Sequence, residues 1–365
     1  MQLVMVRFGV HGKAFNLINL DRWCIGAIAF TLVVFFAGTA ANATTSSVQT
    51  GDIIVTISNF LDNSPSAIVD VNPKTGVQTL MTSGQNLDEP TGICVAPNGF
   101  LYISDYGGNI GSYPNGDILS VNPFTGQQKV IASGGGMVFP SAIAMDSNGT
   151  LIATAVGQTQ VSGEVFKINP QTGTEQLFAS GEPLNGSNGL AIDANGNYFV
   201  SNWQNNPYGG TDIVEVNPVT AAKTVIWTHA LYGAEGIAND TLNPGKLLLA
   251  FDPYPSTTPS VLDINSTTGS ASVVYQNGVL SSPVGVVEDP SGNIYTLDPS
   301  GTGAIYDFNA VTGTESLVAS GGYLNHGSAI TLFSAAVPEP GSLIILPSLA
   351  ILLLSRRRRH EASAV

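Results

Sequence analysis

A six-fold echo runs through the middle of this 365-residue chain and limits its fold more than any other feature. An Asn preceded by an apolar residue, usually followed by Pro-x-Thr-Gly, occurs at Asn72, Asn122 and Asn169 and, in looser form, at Asn217, Asn265 and Asn309. The spacings are 50, 47, 48, 48 and 44 residues. A fixed period of that length marks an array of one supersecondary unit. Pro after the Asn fixes φ and the later Gly supplies a positive φ, so each copy reads as a hairpin turn.

Four short β-branched or alternating runs fill each period. Around Asn169, strand C covers 163–168 and strand D covers 174–179. Downstream come strand A at 187–192, an Asp-x-Asn-Gly turn, and strand B at 197–201. These A–B turns read as type I′-like hairpin turns, because the later ligands of a calcium loop are missing. Four strands per period with polar turns and no helical periodicity predict a propeller blade. A β-helix is the alternative, but its repeat units are shorter.

The first strand is a B, at 52–58, and the last is an A, at 328–333. Together with a C at 67–71 and a D at 77–81 they make one blade, so the chain's two ends close the ring and leave no exposed sheet edge. The expectation is an all-β, six-bladed β-propeller over 50–334.

Both ends read as addresses. Residues 1–43 carry Arg7, Lys13 and Arg22, an apolar run and a closing Ala41-Asn42-Ala43, the pattern of a signal peptide. An uncleaved membrane anchor is the alternative. At the other end, 337–360 holds Pro338-Glu339-Pro340, a short apolar span at 342–354 and four arginines at 356–359. The arginines would keep the far end of that short transmembrane helix in the cytoplasm, placing the folded region outside the inner membrane. This tripartite tail resembles the PEP-CTERM sorting signal of Gram-negative bacteria. The resemblance implies an exosortase-type sorting protease as partner, release or re-anchoring at the cell surface, and an association with exopolysaccharide or biofilm.

Between the ends, 44–337 contains five Lys, no Arg and 23 acidic residues, a net of −18. Nucleic acid is excluded as a partner, since phosphate contacts need clustered cations. Without Arg there is no bidentate fork for anionic substrates either. Cys24 falls in the signal and Cys94 stands alone, so no disulfide staples the domain.

In a propeller, starts of strand A and ends of strand B share one face around the central channel. One residue per blade then forms a ring: Thr91, Ser141, Asn188, Glu235, Val284 and Ser328. Gly92, Gly189, Gly236 and Gly285 follow four of them and would let backbone approach the axis. Asp105, Asn202, Asp252 and Asp298 end B strands on the same face. Oxygen ligands aimed at one axis suit Ca²⁺ or Mg²⁺; alternatively, Asn188 caps backbone in a turn and Glu235 is solvated. The loops of this face hold Tyr106, Tyr113, Asn202, Trp203, Tyr208 and Tyr254, rings beside amides and carboxylates as carbohydrate recognition requires. Packing against neighbouring blades is the other use for such rings. His229 and His326 have no nucleophile pattern beside them and read as loop residues.

The phrases at 188–202 and 89–105 resemble repeats of the NHL, gluconolactonase/senescence-marker and strictosidine-synthase-like six-bladed propellers. For the gluconolactonase-like members, the resemblance implies a divalent metal such as Ca²⁺ held by acidic and Asn residues at strand-A starts. Position by position only Asn188 and Glu235 match, with Asp105 or Asp252 left to complete a site. Two functions follow as expectations: a non-catalytic binding or matrix protein contacting extracellular polysaccharide, or a metal-dependent hydrolase of lactones or esters.

Overall fold

The computed structural model describes residues 48–59, 64–107, 115–157, 162–203, 210–254, 258–276 and 278–334. The signal, the sorting tail with Pro338, Glu339 and Pro340, and the loop tyrosines Tyr113 and Tyr208 lie outside the described residues. Among those described, no helix is long and apolar enough to cross a membrane.

Six four-stranded antiparallel sheets form the fold. Blade 1 is β24 (Gly327–Leu332), β1 (Ile53–Ile57), β2 (Ala67–Val71) and β3 (Gln78–Ser83). Blade 2 is β4 (Pro90–Val95), β5 (Leu101–Asp105), β6 (Asn115–Val121) and β7 (Gln128–Val138). Blade 3 is β8 (Pro140–Met145), β9 (Leu151–Ala155), β10 (Glu164–Ile168) and β11 (Glu175–Ser180). Blade 4 is β12 (Ser187–Ile192), β13 (Tyr198–Asn202), β14 (Thr211–Val216) and β15 (Lys223–His229). Blade 5 is β16 (Tyr232–Asn239), β17 (Lys246–Tyr254), β18 (Ser260–Asn265) and β19 (Ala271–Tyr275). Blade 6 is β20 (Gly285–Glu288), β21 (Asn293–Asp298), β22 (Ala304–Asn309) and β23 (Thr314–Ser320).

The ring closes as the strand order predicts. β24 pairs with β1, setting Val55 opposite Ile330 and Ile53 opposite Leu332. Ile330 packs with Ile53, Val55 and Leu297, so the closing strand also joins blade 1 to blade 6. Second strands are apolar on both faces because a neighbouring blade covers each side. β1, β5, β9 and β13 are buried at every residue.

The six anchors fold alike, but the constant agent is the Asn side chain rather than the Pro. Oδ1 of Asn72 accepts the N–H groups of Lys74 and Thr75, each at 3.1 Å. Asn265 and Asn309, which lack the Pro, make the same pair of bonds to Thr267 and Thr268 and to Val311 and Thr312. This is an Asx turn. The A–B turns correct the type I′ expectation. In 146–149 the Gly149 N–H donates to the Asp146 carbonyl, Asp146 Oδ1 accepts from Asn148 and Thr150, and only Gly149 has a positive φ (79°). That is a type I turn with a left-handed Gly, stabilised by an Asp side chain.

The outermost strands carry a feature that the repeat pattern does not announce. Each third-to-fourth strand pairing has a bulge at the same register, before Val69, Leu119, Phe166, Val214, Leu262 and Tyr306. A bulge bends and twists an edge strand, which spoils it as a template for further pairing.

Candidate functional site

All six ring residues line one central cavity of about 360 Å³, together with Tyr106. Glycine brings the blades this close. A Cβ on Gly92 would lie 2.6 Å from the Ser141 carbonyl oxygen, and one on Gly236 would lie 2.8 Å from that of Val284.

The ring positions divide into two chemical groups. Ser328 Oγ donates to the Pro90 carbonyl (2.6 Å), Thr91 Oγ1 to that of Pro140 (2.7 Å) and Ser141 Oγ to that of Ser187 (2.5 Å). Each bond reaches the next blade, one residue before that blade's own ring position. A second tier repeats the device: Ser104 Oγ donates to the Ser141 carbonyl, Thr154 Oγ1 to that of Asn188 and Ser201 Oγ to that of Glu235. Thr91, Ser141 and Ser328 are therefore blade-to-blade fasteners.

Asn188 and Glu235 are different. The Asn188 amide donates to Glu235 Oε2 at 2.5 Å, side chain to side chain across the channel wall. Glu235 lines the channel cavity, and burial pushes its carboxyl up to about 7, with the Asn188 amide opposing the rise and Asp252 adding to it. Tyr106 stands beside it; burial, then Glu89 and Glu235, push its phenol up to about 12. Glu89 is raised too, by burial and by Asp105.

The ends of the second strands do not join this site. Asp105 is turned toward the preceding loop, where its carboxylate accepts the N–H groups of Asp88 (3.0 Å), Glu89 (2.9 Å) and Gly107 (2.9 Å). Asp298 accepts those of Ser281, Ser282 and Ser300. Asn202 donates to the Pro183 carbonyl at 2.7 Å and accepts from Ser187 Oγ. These side chains fasten loops to blades. Asp252 is partly exposed and accepts from Ser282 Oγ (2.7 Å).

Calcium takes about six to eight oxygen ligands. Among the described residues no three His, Cys, Asp or Glu side chains converge. With the ring hydroxyls and Asp105 engaged elsewhere, the pair Asn188–Glu235 with Asp252 nearby falls short of that shell.

Above the ring, on the same end of blades 4 and 5, lies an aromatic shelf. Trp203 stacks on Tyr232 (centroids 5.9 Å apart, 30° between planes). Tyr232 pairs across strands with Tyr254, which is 71% exposed. Trp203 is 46% exposed, so both rings present surface to a ligand. Tyr106 is instead packed edge-on against Phe139 (5.5 Å). Tyr232 escapes the sequence analysis because it stands three residues ahead of its ring position, where the repeat has no marker. Its signal is Gly233: at φ +122° a Cβ would lie 1.8 Å from the Asp252 carbonyl, so the β16–β17 hairpin is pinched there.

No protein-family model matches this sequence, and neither does any curated protein sequence. Solved structures do. A chain of the nidogen/laminin complex is similar over 78% of this chain and 100% of its own, with a TM-score of 0.61 and 14% identity. TolB from Acinetobacter baumannii covers 78% of this chain and 67% of its own, with a TM-score of 0.56 and 13% identity. A protein assigned as a 6-phosphogluconolactonase from Bacteroides uniformis covers 78% and 99%, with a TM-score of 0.52 and 12% identity. The likeness is one of fold. It shows a β-propeller architecture used for very different tasks.

Proposed function

We propose that this protein is an exported, non-catalytic propeller that binds a neutral polyhydroxylated ligand, a glycan, at the mouth of its channel. The observation that carries the reading is the stacked pair Trp203–Tyr232 with the exposed Tyr254, on the same two blades that supply Asn188 and Glu235 to the channel. Aromatic faces cover the C–H faces of sugar rings, while an amide and a carboxyl exchange hydrogen bonds with hydroxyls. The absence of Arg from 44–337 argues for a neutral rather than an anionic ligand. Binding the full chain to an array of neutral and acidic glycans tests it. Retention of neutral glycans by the wild type, lost at least tenfold in Trp203→Ala and Tyr254→Ala, is the expected result; an array blank for all of them overturns the reading.

The tail supports export to the cell envelope or beyond. Pro338-Glu339-Pro340 would be read by an exosortase-type protease, after transient anchoring in the inner membrane. Glu339→Ala should then leave the uncut chain in the membrane fraction.

A second reading, a lactone or ester hydrolase, is favoured by one observation: the Glu235 carboxyl sits in a cavity with its pKa near neutrality, as a general acid or base would. Lactone hydrolysis abolished by EDTA and by Glu235→Gln, with melting raised by calcium, would replace the first reading.

A further inference from the structure

Away from the channel, blades 4 and 5 depart from the rule that the other four blades keep. At the fourth-strand position facing Ile68, Ile118, Val165 and Ile305, blades 1, 2, 3 and 6 carry Thr82, Ala132, Ala179 and Ala319. Blade 4 carries Trp227 there, facing Ile213, and blade 5 carries Tyr275, facing Val261. Two residues later those four blades turn on a left-handed glycine, Gly84, Gly134, Gly181 and Gly321, where blade 4 has His229. The second-strand end that holds Asp105 or Asn202 in blades 2 and 4 holds Phe251 in blade 5. Each exchange replaces a small or loop-fastening residue by a ring.

Three of these rings meet at one cleft between blades 4 and 5. Trp227 and His229 stack (5.7 Å, 18°), and Phe251 stands edge-on to both, at 5.8 and 4.9 Å. They line a cavity of about 340 Å³ whose other wall residues include Leu231, Pro253 and Leu262. Ser260, Ser272 and Gln276 add polar groups. The Leu231 N–H donates to His229 Nδ1 (3.1 Å), which leaves the ring proton on Nε2 as a further donor. No charged side chain among the described residues lines the cleft.

We infer that this cleft is a second carbohydrate subsite, taking one or two neutral pyranose units with an apolar sugar face against the part-exposed His229 ring, Trp227 and Phe251 themselves being largely buried. The volume falls in the range of small-ligand pockets. A lining without charge disfavours anionic sugars, because an ionised group would be desolvated with no counter-charge. The hydroxyl, amide and imidazole groups at its edge suit a ligand that carries hydroxyls around an apolar ring. Leu231 and Pro253 adjoin Tyr232 and Tyr254, so the β16–β17 hairpin separates this subsite from the channel-mouth shelf. The inference does not require that the shelf bind anything.

The test labels the full chain with 5-fluorotryptophan and titrates it with neutral gluco-, manno- and galacto-oligosaccharides of two to six units, resonances being assigned by single Trp→Phe variants. Trp203 reports the shelf and Trp227 the cleft. The expected result is a saturable shift of the Trp227 resonance with at least one probe. His229→Gly, which restores the residue of the other blades, should weaken that shift at least tenfold and leave any Trp203 response unchanged. A Trp227 resonance unmoved by every probe at millimolar concentration, or moved equally in His229→Gly, overturns the subsite. A silent Trp203 beside a responsive Trp227 would instead overturn the channel-mouth reading alone.

Discussion

The amide of Asn188 donates to the carboxylate of Glu235 across the boundary between blades 4 and 5, joining residues 47 positions apart in the chain. Among the described residues it is the one hydrogen bond that joins two ring side chains to each other; the ring hydroxyls reach a neighbouring blade's carbonyl instead. Half of the ring is fastened by hydroxyls, and this pair keeps polar atoms that a ligand can use.

Stability should fall as Glu235 ionises. Its folded pKa, about 7, lies above the 4.5 of the free group, so the native state holds a proton that the unfolded chain has released between those values. No stability is lost below about pH 4.5; the loss grows toward pH 7 and is complete above it, at about 1.4 kcal/mol per pKa unit. Glu235→Gln should match the wild type in melting temperature at pH 4 and exceed it at pH 8. A lower melting temperature for the variant at both values would show that the ionised carboxylate is a net stabiliser.

Asp70 should behave alike, again chiefly because it is buried. It lies buried on β2, pushed up to about 7 by burial and by Asp52, and its Oδ1 has no hydrogen-bond partner. At the same register blade 5 sets Lys246 against Asp263, where blade 1 sets Asp52 against Asp70. Asp70→Asn should raise the denaturation midpoint at pH 8 and leave it unchanged at pH 4. Equal effects at the two values would count against a cost that comes from ionising Asp70 where it is buried.

Asp105 is a loop anchor, so Asp105→Ala should cost about 2 kcal/mol at pH 7 by leaving three amide N–H groups without their acceptor. Added calcium should not change that difference. A cost that appears only in calcium-loaded protein would restore Asp105 as a metal ligand.

Ile330 sits at the seam, 8% exposed and packed on Ile53, Val55 and Leu297. Ile330→Asp buries an unpaired charge where the ring closes and should remove about 4 kcal/mol, with loss of cooperative unfolding in urea. Retention of wild-type cooperativity would mean that five blades hold the ring without the sixth.

Blade number, strand order and closure were legible because the Asn72-type turn recurs and its geometry depends on local residues alone. The identity of the ring was legible for the same reason: Thr91 and Glu235 occupy one register. What each ring residue does was not. A hydroxyl at Thr91 or Ser141 can face the channel or a neighbour's carbonyl, and the choice depends on how near the glycines bring the next blade. Asp105 and Asp298 read as ligands because the sequence places them at the correct end of a strand; only the folded loop supplies the amide groups that claim them. Trp227 and His229 lie in β15 and Phe251 in β17 of the next blade, and their shared cleft emerges only when the exceptions to the repeat are superposed.

Because β24 is the final element of the ring and completes the blade that β1 begins, Val55 waits for Ile330 throughout the chain's synthesis. Nothing upstream can substitute for that partner. Until about 270 further residues have arrived, a naked β-strand must be kept from pairing elsewhere. The last turn of translation, not the first, decides when this molecule becomes a circle.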